Sequence, residues 1–188
     1  MWYNGTILYK DVTSMPEMLD IVDENGVPTG RSVPRTVAHA EGLRHRTSHV
    51  WIVRRKAGRV QVLLQMRCAA KDSYPGCYDI SSAGHIPAGA EFVESALREL
   101  KEELGISGCE LRKIADFDAG ENNGWEFIAL YEGRYSGKVR FPAAEVDSVQ
   151  WFTPEQIQAW VERRPQDFSP AFIPCWNAWL AANKKASF

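Results

Sequence analysis

Residues 84–106 read GHIPAGAEFVESALRELKEELGI and combine a loop, the start of a helix and a group of carboxylates. Residues three and four positions apart share one face of an α-helix, so Glu99 would lie beside both Glu102 and Glu103. Like charges at this spacing repel each other by about a few tenths of a kcal/mol per pair, and a bound cation is the best reason to accept that cost. Carboxylate oxygens are hard ligands that suit Mg²⁺ or Mn²⁺. The segment therefore predicts a helix that binds a divalent metal ion.

The opposite face of this helix carries apolar residues at helical spacing. These residues are Val93, Ala96, Leu97, Leu100 and Leu104. They predict that the helix packs on a core and leaves its acids facing a cleft. Gly105 then predicts the end of the helix, because glycine readily adopts the left-handed conformation found there.

The segment closely resembles the Nudix box, a pattern of glycine, arginine and glutamate positions with fixed spacing. Eight of its nine fixed positions match: Gly84, Arg98, Glu99, Leu100, Glu102, Glu103, Gly105 and Ile106. The ninth is a supporting glutamate in the family and is Ala90 here, with Glu91 one place later. The resemblance implies that the metal-binding carboxylates are kept while one supporting residue is missing.

Several expectations follow from the resemblance. It implies an α/β Nudix fold, with a mixed β-sheet sandwiched between α-helices over roughly residues 17–162. One domain would span 1–188, with an N-terminal β-hairpin extension and a C-terminal helix packed on it. The implied reaction is hydrolysis of a diphosphate linked to another group, usually a nucleoside. The implied metal ligands are Glu99, Glu102, Glu103 and a loop carbonyl near Gly84, with Arg98 as an orienting ion pair and Glu99, Glu121 or Glu126 as general base.

A narrower resemblance, to the Nudix branch of isopentenyl-diphosphate isomerase, surrounds the box. Ala83 stands where the isomerase has its proton-transferring cysteine, and Glu126 is the one glutamate kept from a later pair, so a hydrolase is favoured over an isomerase. The residues that carry this resemblance are Asp20 to Gly26, Arg35, His39, His45, Arg46, Trp51, Ile52 and Tyr78 to His85.

Three histidines, His39, His45 and His85, match metal-ligand positions of the isomerase in order. Neutral imidazole is a good transition-metal ligand, so these side chains could form a second metal site. The alternative is structural: His45 could hydrogen-bond the backbone where a strand begins, and His85 could brace the box loop. His85 is also a candidate substrate-binding residue.

Trp125 and Phe127 flank Glu126 and would share one face of a predicted strand, with Glu126 on the other. That face could stack a nucleobase, which makes both aromatic residues candidates for substrate binding. Packing in the core is the more frequent role of such side chains.

Composition narrows the function classes. A net charge of −2 and a pI near 6.1 provide no basic surface for duplex nucleic acid, whereas a small diphosphate substrate remains compatible. No apolar run reaches the roughly 18 residues of a membrane span, and Met1–Asn4 does not resemble a signal sequence, so we expect a cytoplasmic protein. The four cysteines are widely spaced, which predicts reduced thiols.

The remaining pattern predicts alternating sheet and helix. Hairpins are expected at 18–33 and 49–65, the second with a turn at 54–59, followed by strands at 110–118, 126–132 and 146–152. Thr153 should cap a helix that contains 156–163, and a last helix should span 171–182.

Substrate choice would depend on loops at 71–77, 119–124 and 135–145. The hairpin and the aromatic last helix also provide surfaces for a homodimer. A non-catalytic diphosphate-binding domain is the third functional reading.

Overall fold

The computed structural model describes residues 16–70 and 73–184 of the chain. The expectations for Met1–Asn4, and for Lys71 and Asp72 in the first predicted loop, lie outside these residues. In chain order the elements are β1 (Met18–Val22), β2 (Pro28–Pro34), α1 (Arg35–Ala40), β3 (His45–Lys56), β4 (Arg59–Arg67), β5 (Tyr78–Asp79), β6 (Ser82–His85), α2 (Phe92–Leu104), β7 (Leu111–Phe117), β8 (Glu126–Arg134), β9 (Val146–Phe152), α3 (Pro154–Arg163) and α4 (Phe172–Lys184), with 3₁₀ helices at Glu121–Asn123 and Pro165–Asp167. No helix in the described ranges has both the length and the apolar character that crossing a membrane requires.

The N-terminal hairpin is confirmed as the antiparallel pair β1 and β2. Its turn is closed by Asp23, whose carboxylate accepts the backbone N–H groups of Asn25 and Val27 at 2.9 Å. Helix α1 follows directly and was not predicted. It has six residues, begins after Pro34 and has no side-chain cap, so neither periodicity nor a capping signal marks it in the sequence.

The main sheet has seven strands and is mixed. Strands β5, β4, β3, β8 and β7 lie side by side, while β6 pairs with β3 and β9 pairs with β4. Strands β3 and β8 run parallel, and the other pairings in this sheet are antiparallel. The predicted mixed sheet is therefore confirmed.

The turn predicted at 54–59 is wrong in its extent. Strand β3 continues to Lys56 and β4 begins at Arg59, which leaves a two-residue turn of Ala57 and Gly58. Both turn residues have positive φ, 48° and 76°, as expected for a tight turn whose twist matches that of the flanking strands. The run of charged residues suggested a loop, but Arg55, Lys56 and Arg59 belong to the strands and are exposed there.

Helix α2 packs on one face of the sheet. Ala96, Leu100 and Leu104 are fully buried, and Gly105 ends the helix with φ 65°, as predicted. Val93 was wrongly placed on the buried face and is 45% exposed. The helix begins at Phe92, and it is this side chain that packs against the core from the first turn.

Helices α3 and α4 cover the opposite face. Thr153 and Gln156 form a reciprocal capping box at the start of α3, which confirms the predicted cap. Phe172, Trp176 and Trp179 of α4 are at most 2% exposed and pack on β3, so the last helix docks on the chain itself. The sheet thus lies between α2 on one side and α3 with α4 on the other.

Candidate active site

The side chains of β3 alternate between the two faces of the sheet, so His45, Thr47 and His49 share one face. Glu126 of β8 pairs with His45, and His85 of β6 pairs with Thr47. Directly paired residues point to the same side of a sheet. Strand pairing therefore brings His45, His85 and Glu126 together.

His39 of α1 completes the group. One ligand atom from each of His39, His45, His85 and Glu126 lies within 4.8 Å of the others. The Nε2 atoms of His39 and His85 are 2.9 Å apart. Glu126 Oε1 lies 4.0 Å from His45 Nε2 and 3.9 Å from His85 Nε2. These four residues are called the histidine–Glu126 cluster below.

His45 shows which of its ring nitrogens is available. Its Nδ1 lies 2.8 Å from the carbonyl oxygen of Leu43, and a carbonyl can only accept, so Nδ1 carries the proton. Nε2 then has no proton, and its lone pair lies inside the cluster. This atom is buried without a hydrogen-bond partner, and the His45 side chain is fully buried. A buried nitrogen left unpaired is costly unless something else binds it.

Burial sets the charge of the cluster. It lowers the pKa of His39 and of His45, and it lowers the pKa of His85 to about 2, so all three rings are neutral near pH 7. Burial also raises the pKa of Glu126 from 4.5 to about 7. Neutral imidazoles keep the lone pair that a metal ion needs.

The donor set fits a divalent transition-metal ion. Three imidazoles and one carboxylate suit Mn²⁺, Fe²⁺ or Zn²⁺ better than Mg²⁺, which prefers oxygen ligands. Metal–nitrogen bonds of about 2.1 Å place the ligands of one ion roughly 3–4 Å apart, close to the separations within the cluster. The unpaired Nε2 of His45 is the strongest single sign of such a site.

The box carboxylates lie toward the other face. Gly84 pairs with Ser48, one residue away from the His45 face, and a Cβ atom on Gly84 would lie 2.2 Å from Glu99 Cδ. Only glycine leaves room for Glu99 there. Arg98 pairs with Glu99 at 2.7 Å and with Glu102 at 3.0 Å, as expected of an orienting ion pair.

Glu103 is buried, and its Oε2 accepts from the Ala83 backbone N–H at 3.3 Å and from Gln65 Nε2 at 3.4 Å. Glu102 is exposed. Burial raises the pKa of Glu99 to about 7. Within residues 16–70 and 73–184, the three box carboxylates do not converge as the histidine–Glu126 cluster does. Their role as metal ligands stays a prediction.

Contacts from the hairpin hold the loop that lacks the box glutamate. Asp20 of β1 accepts the Gly89 backbone N–H at 2.7 Å and lies 3.5 Å from Arg46 Nη2. Arg46 in turn donates to the carbonyl of Ala90 at 3.3 Å. The loop is therefore fixed through its backbone at the position where the family has a side chain. Sequence reasoning missed this role of Asp20, because 69 positions separate it from Gly89.

The prediction that Trp125 and Phe127 share a strand face is wrong. Trp125 precedes β8 in a turn with φ 63°, so strand alternation does not apply to it. The Arg44 guanidinium lies 5.3 Å from the centre of its ring. Phe127 is in β8, and a Cβ atom on Gly26 in the hairpin turn would lie 3.4 Å from its ring. Both aromatic residues thus contact the N-terminal part of the described chain, and their role in substrate binding stays a prediction.

Comparisons with known proteins agree with these features. The NUDIX domain family model matches residues 43–172. An uncharacterized Nudix hydrolase of Yersinia pestis is 31% identical over 172 residues, 92% of this chain and 90% of that protein. Another, from Clostridium acetobutylicum, is 41% identical over 138 residues, 70% of this chain and 63% of that protein. The crystal structure of DR0079 from Deinococcus radiodurans shares the fold, with a TM-score of 0.67 at 24% identity over 78% of this chain and 90% of that chain. The chain belongs to the Nudix family and is a Nudix hydrolase, an enzyme that acts on acid anhydrides in phosphorus-containing compounds.

Proposed function

We propose that this enzyme hydrolyses the phosphoanhydride bond of a nucleoside diphosphate derivative or a related diphosphate metabolite, with a divalent metal ion. The observation that carries the proposal is the buried, unpaired Nε2 of His45 beside His85 and Glu126. A bound metal ion would explain why this buried nitrogen has no hydrogen-bond partner, whereas a purely structural histidine would be hydrogen-bonded through both nitrogens or exposed to water.

Two groups of residues would hold metal. The histidine–Glu126 cluster suits Mn²⁺ or a similar transition-metal ion. The box residues Glu99, Glu102 and Glu103, with the carbonyl of Gly84, would hold Mg²⁺ or Mn²⁺ next to the substrate. A divalent ion bound there supplies polarisation of a phosphoryl oxygen and a lower pKa for a bound water.

Among the described residues, Glu99 and Glu126 are the general bases that we propose, and the one that takes the proton is then not a metal ligand. Burial raises the pKa of each to about 7, so each can take up a proton near neutral pH. Arg98 lies 2.7 Å from Glu99 Oε1 and fixes the orientation of that carboxylate. Glu121, the other candidate, is exposed on a 3₁₀ helix and lacks this burial.

A release assay with mass analysis of the products tests the proposal. The panel contains nucleoside di- and triphosphates, nucleotide sugars, dinucleotide cofactors, coenzyme A and isopentenyl diphosphate, each with Mg²⁺ and with Mn²⁺. We expect hydrolysis of one substrate class, lost in Glu126→Gln and kept in Glu94→Gln, since Glu94 is exposed on the first turn of α2. Equal rates without any divalent ion would contradict metal dependence.

The same panel tests the other two functions. The histidines favour an isomerase of isopentenyl diphosphate, because they match its metal-ligand positions, but none of the four cysteines belongs to the cluster. Conversion of isopentenyl diphosphate to its isomer without phosphate release would establish that activity. Tight binding of a diphosphate without turnover would identify a binding domain.

A further inference from the structure

A cavity lies at the opposite end of strand β3 from the histidine–Glu126 cluster. Its volume is about 290 Å³, and it is bounded by the last residues of β3, the first turn residues after β8 and helix α4. His45 and Arg55 are ten positions apart on β3, which at about 3.3 Å per residue separates the two places by roughly 30 Å. The cavity is called the arginine pocket below, and its lining residues are Val53, Arg54, Arg55, Val60, Glu132, Arg134, Tyr135, Ser136 and Trp179.

Strand register places two of the three lining arginines on one face of the sheet. Arg134 of β8 pairs directly with Val53, and Arg55 follows Val53 by two positions on β3. Paired residues, and residues two apart along a strand, point to the same side of a sheet. Arg55 and Arg134 are thus diagonal neighbours within reach of each other's long side chains. Two positive charges held in this way repel each other, and an anion between them would remove the repulsion.

The lining arginines have no acidic partner within residues 16–70 and 73–184. Arg54 donates through Nε to Gln61 Oε1 at 2.8 Å, and Arg55 donates through Nη1 to the carbonyl oxygen of Gly58 at 3.4 Å. Both acceptors are uncharged. The Arg134 side chain is exposed and has no hydrogen bond or ion pair in the described part of the chain.

Glu132 is the one acidic residue of the lining, and its carboxylate is already satisfied. It is 6% exposed, and its Oε1 lies 3.1 Å from Arg112 Nη2. Its Oε2 accepts from Trp179 Nε1 at 2.8 Å and from Asn183 Nδ2 at 3.2 Å. Arg112 does not line the pocket, so it neutralises Glu132 from outside. The positive charge of the three lining arginines is therefore left uncompensated.

Arg54 is held in place by the chain itself. Its guanidinium group lies 3.9 Å from the centre of the Trp151 ring, and its Nε is engaged by Gln61. These contacts use the flat face and the Nε–H of the group, so the N–H donors at its outer edge stay available to a ligand. An arginine that is ordered in advance loses less conformational entropy when it binds.

We propose that the arginine pocket is a second binding site, separate from the active site, for a dianionic phosphoryl group, either free orthophosphate or the phosphate of a small metabolite. Guanidinium groups match phosphate oxygens with paired N–H donors. A phosphate ester carries about 1.5 to 2 negative charges near pH 7 and three strong acceptor oxygens, whereas a carboxylate carries one charge. The volume is at the lower end of the range for ligand pockets, which suits a phosphate or a small ester and is too small for a dinucleotide. No residue of the cluster or of the box takes part, so the inference does not depend on the proposed function.

NMR titration of the metal-depleted protein with inorganic phosphate tests the site. The indole N–H of Trp179 and the amide of Ser136 report on the pocket, and the indole N–H of Trp125 reports on the surroundings of the cluster. We expect the two pocket signals to shift together with a saturable Kd on the order of 1 mM, and acetate to bind at least about tenfold more weakly. No saturable shift, shifts confined to Trp125, or acetate that binds as tightly as phosphate would overturn the proposal.

Titration with AMP distinguishes the two sources of the phosphoryl group. The same two signals shifting with a lower Kd for AMP than for phosphate would support an ester as the ligand. A Kd for AMP equal to or above that for phosphate would support the free anion. Because Arg134 is exposed and has no side-chain partner in the described chain, its variants should fold as the wild type does, and circular dichroism checks this.

Three variants separate a built pocket from a diffuse positive field. Arg134→Gln should raise the Kd for phosphate about 10–100-fold, because it removes a charged hydrogen-bond donor. Arg134→Lys keeps the charge but loses the planar fork, and its Kd should fall between those of the wild type and Arg134→Gln. Arg163→Gln removes the same charge from an exposed position on α3 and should leave the Kd unchanged. Equal losses in Arg163→Gln and Arg134→Gln, or a wild-type Kd in Arg134→Lys, would overturn the pocket.

Discussion

The two faces of the sheet bury polar groups in opposite ways. On the α2 face, Arg98 neutralises Glu99 and Glu102, and Glu103 accepts hydrogen bonds from the backbone of Ala83 and from Gln65. In the histidine–Glu126 cluster, His45 Nε2 is left without a hydrogen bond, whereas the Nε2 atoms of His39 and His85 lie 2.9 Å apart and form a hydrogen bond with each other. In the proposed function, His45 therefore provides a ligand atom that is already unpaired, whereas the box carboxylates have partners in the chain that a metal ion would displace or share.

This difference predicts different metal behaviour on the two faces. A preorganised set of nitrogen ligands binds transition-metal ions tightly and discriminates against Mg²⁺. Carboxylates that keep protein partners bind hard cations more weakly and gain from a substrate phosphate that shares the ion. We therefore expect one resident ion in the cluster and a second that enters with the substrate.

The largest effect should come from Glu103→Gln on the α2 face. Glutamine keeps an oxygen that can accept from Ala83 and Gln65 but removes the negative charge expected to bind metal. We expect kcat to fall by about 10³-fold, as is common when charge stabilisation in the transition state is lost, with little change in folding. Steady-state kinetics and thermal unfolding measure the two effects.

Glu94→Gln is the matched control, because Glu94 is on the same helix and exposed. Its kcat should equal that of the wild type. Near-normal turnover in Glu103→Gln would remove the box carboxylates from the mechanism and leave the cluster as the whole site.

His45→Gln should separate the two metal sites. The variant removes the unpaired Nε2 while approximating the volume of the ring. We expect Mn²⁺ affinity of the free protein to fall about 100-fold, with Mg²⁺ affinity in the presence of substrate changed by less than about threefold. Electron paramagnetic resonance follows Mn²⁺ binding, and the Mg²⁺ dependence of turnover gives the second value. Equal losses for both ions would show that the two faces form one metal centre.

Glu126→Gln should stabilise the metal-free protein at high pH. Because burial raises the pKa of Glu126 from 4.5 to about 7, the folded chain keeps a proton here that the unfolded chain has lost between those values. Stability conferred by this group is present below pH 4.5 and is lost as the pH rises to about 7. Removing the ionisable group should therefore raise the free energy of unfolding by about 3 kcal/mol at pH 8 and leave it unchanged at pH 4.

Urea unfolding with a chelator present measures this pH dependence. Glu121→Gln, an exposed glutamate near the start of β8, serves as the control and should shift stability at neither pH. A Glu126→Gln protein that is less stable than the wild type at pH 8 would mean that the carboxylate is well compensated in the folded chain.

The helix of the α2 face was predicted from residue spacing, whereas the histidines of the cluster were indicated only by the narrower resemblance, and the reason is distance along the chain. Gly84, Arg98 and Gly105 fall within one short segment, in which the spacing of the residues along the chain determines which side chains are in contact. His39, His85 and Glu126 come from a short helix and two strands, and only strand register brings them together. The narrower resemblance indicated the histidines, but the unpaired nitrogen of His45 leaves no local signal in the sequence. Trp125 was misplaced because a positive φ before a strand has no reliable signature outside glycine.

The smallest effect should come from Asp20→Asn, which tests how the loop between the two faces is held. The loop runs from His85 of the cluster to the start of α2, and the Asp20 carboxylate binds the Gly89 N–H and approaches Arg46. The Gly89 hydrogen bond lowers the pKa of Asp20, so its stabilisation is present above the ordinary value of 3.8 and is lost as the pH falls through the lowered value. Asparagine keeps an acceptor but loses the charge, and we expect about 1 kcal/mol less stability at pH 7 by urea unfolding, with a smaller difference at pH 3.

Asp116→Asn, which breaks a 2.7 Å ion pair with Lys113 on the exposed part of β7, should cost less, because solvent screens that pair. Equal losses in the two variants would show that the loop does not depend on Asp20, and the missing box glutamate would then have no replacement in the hairpin.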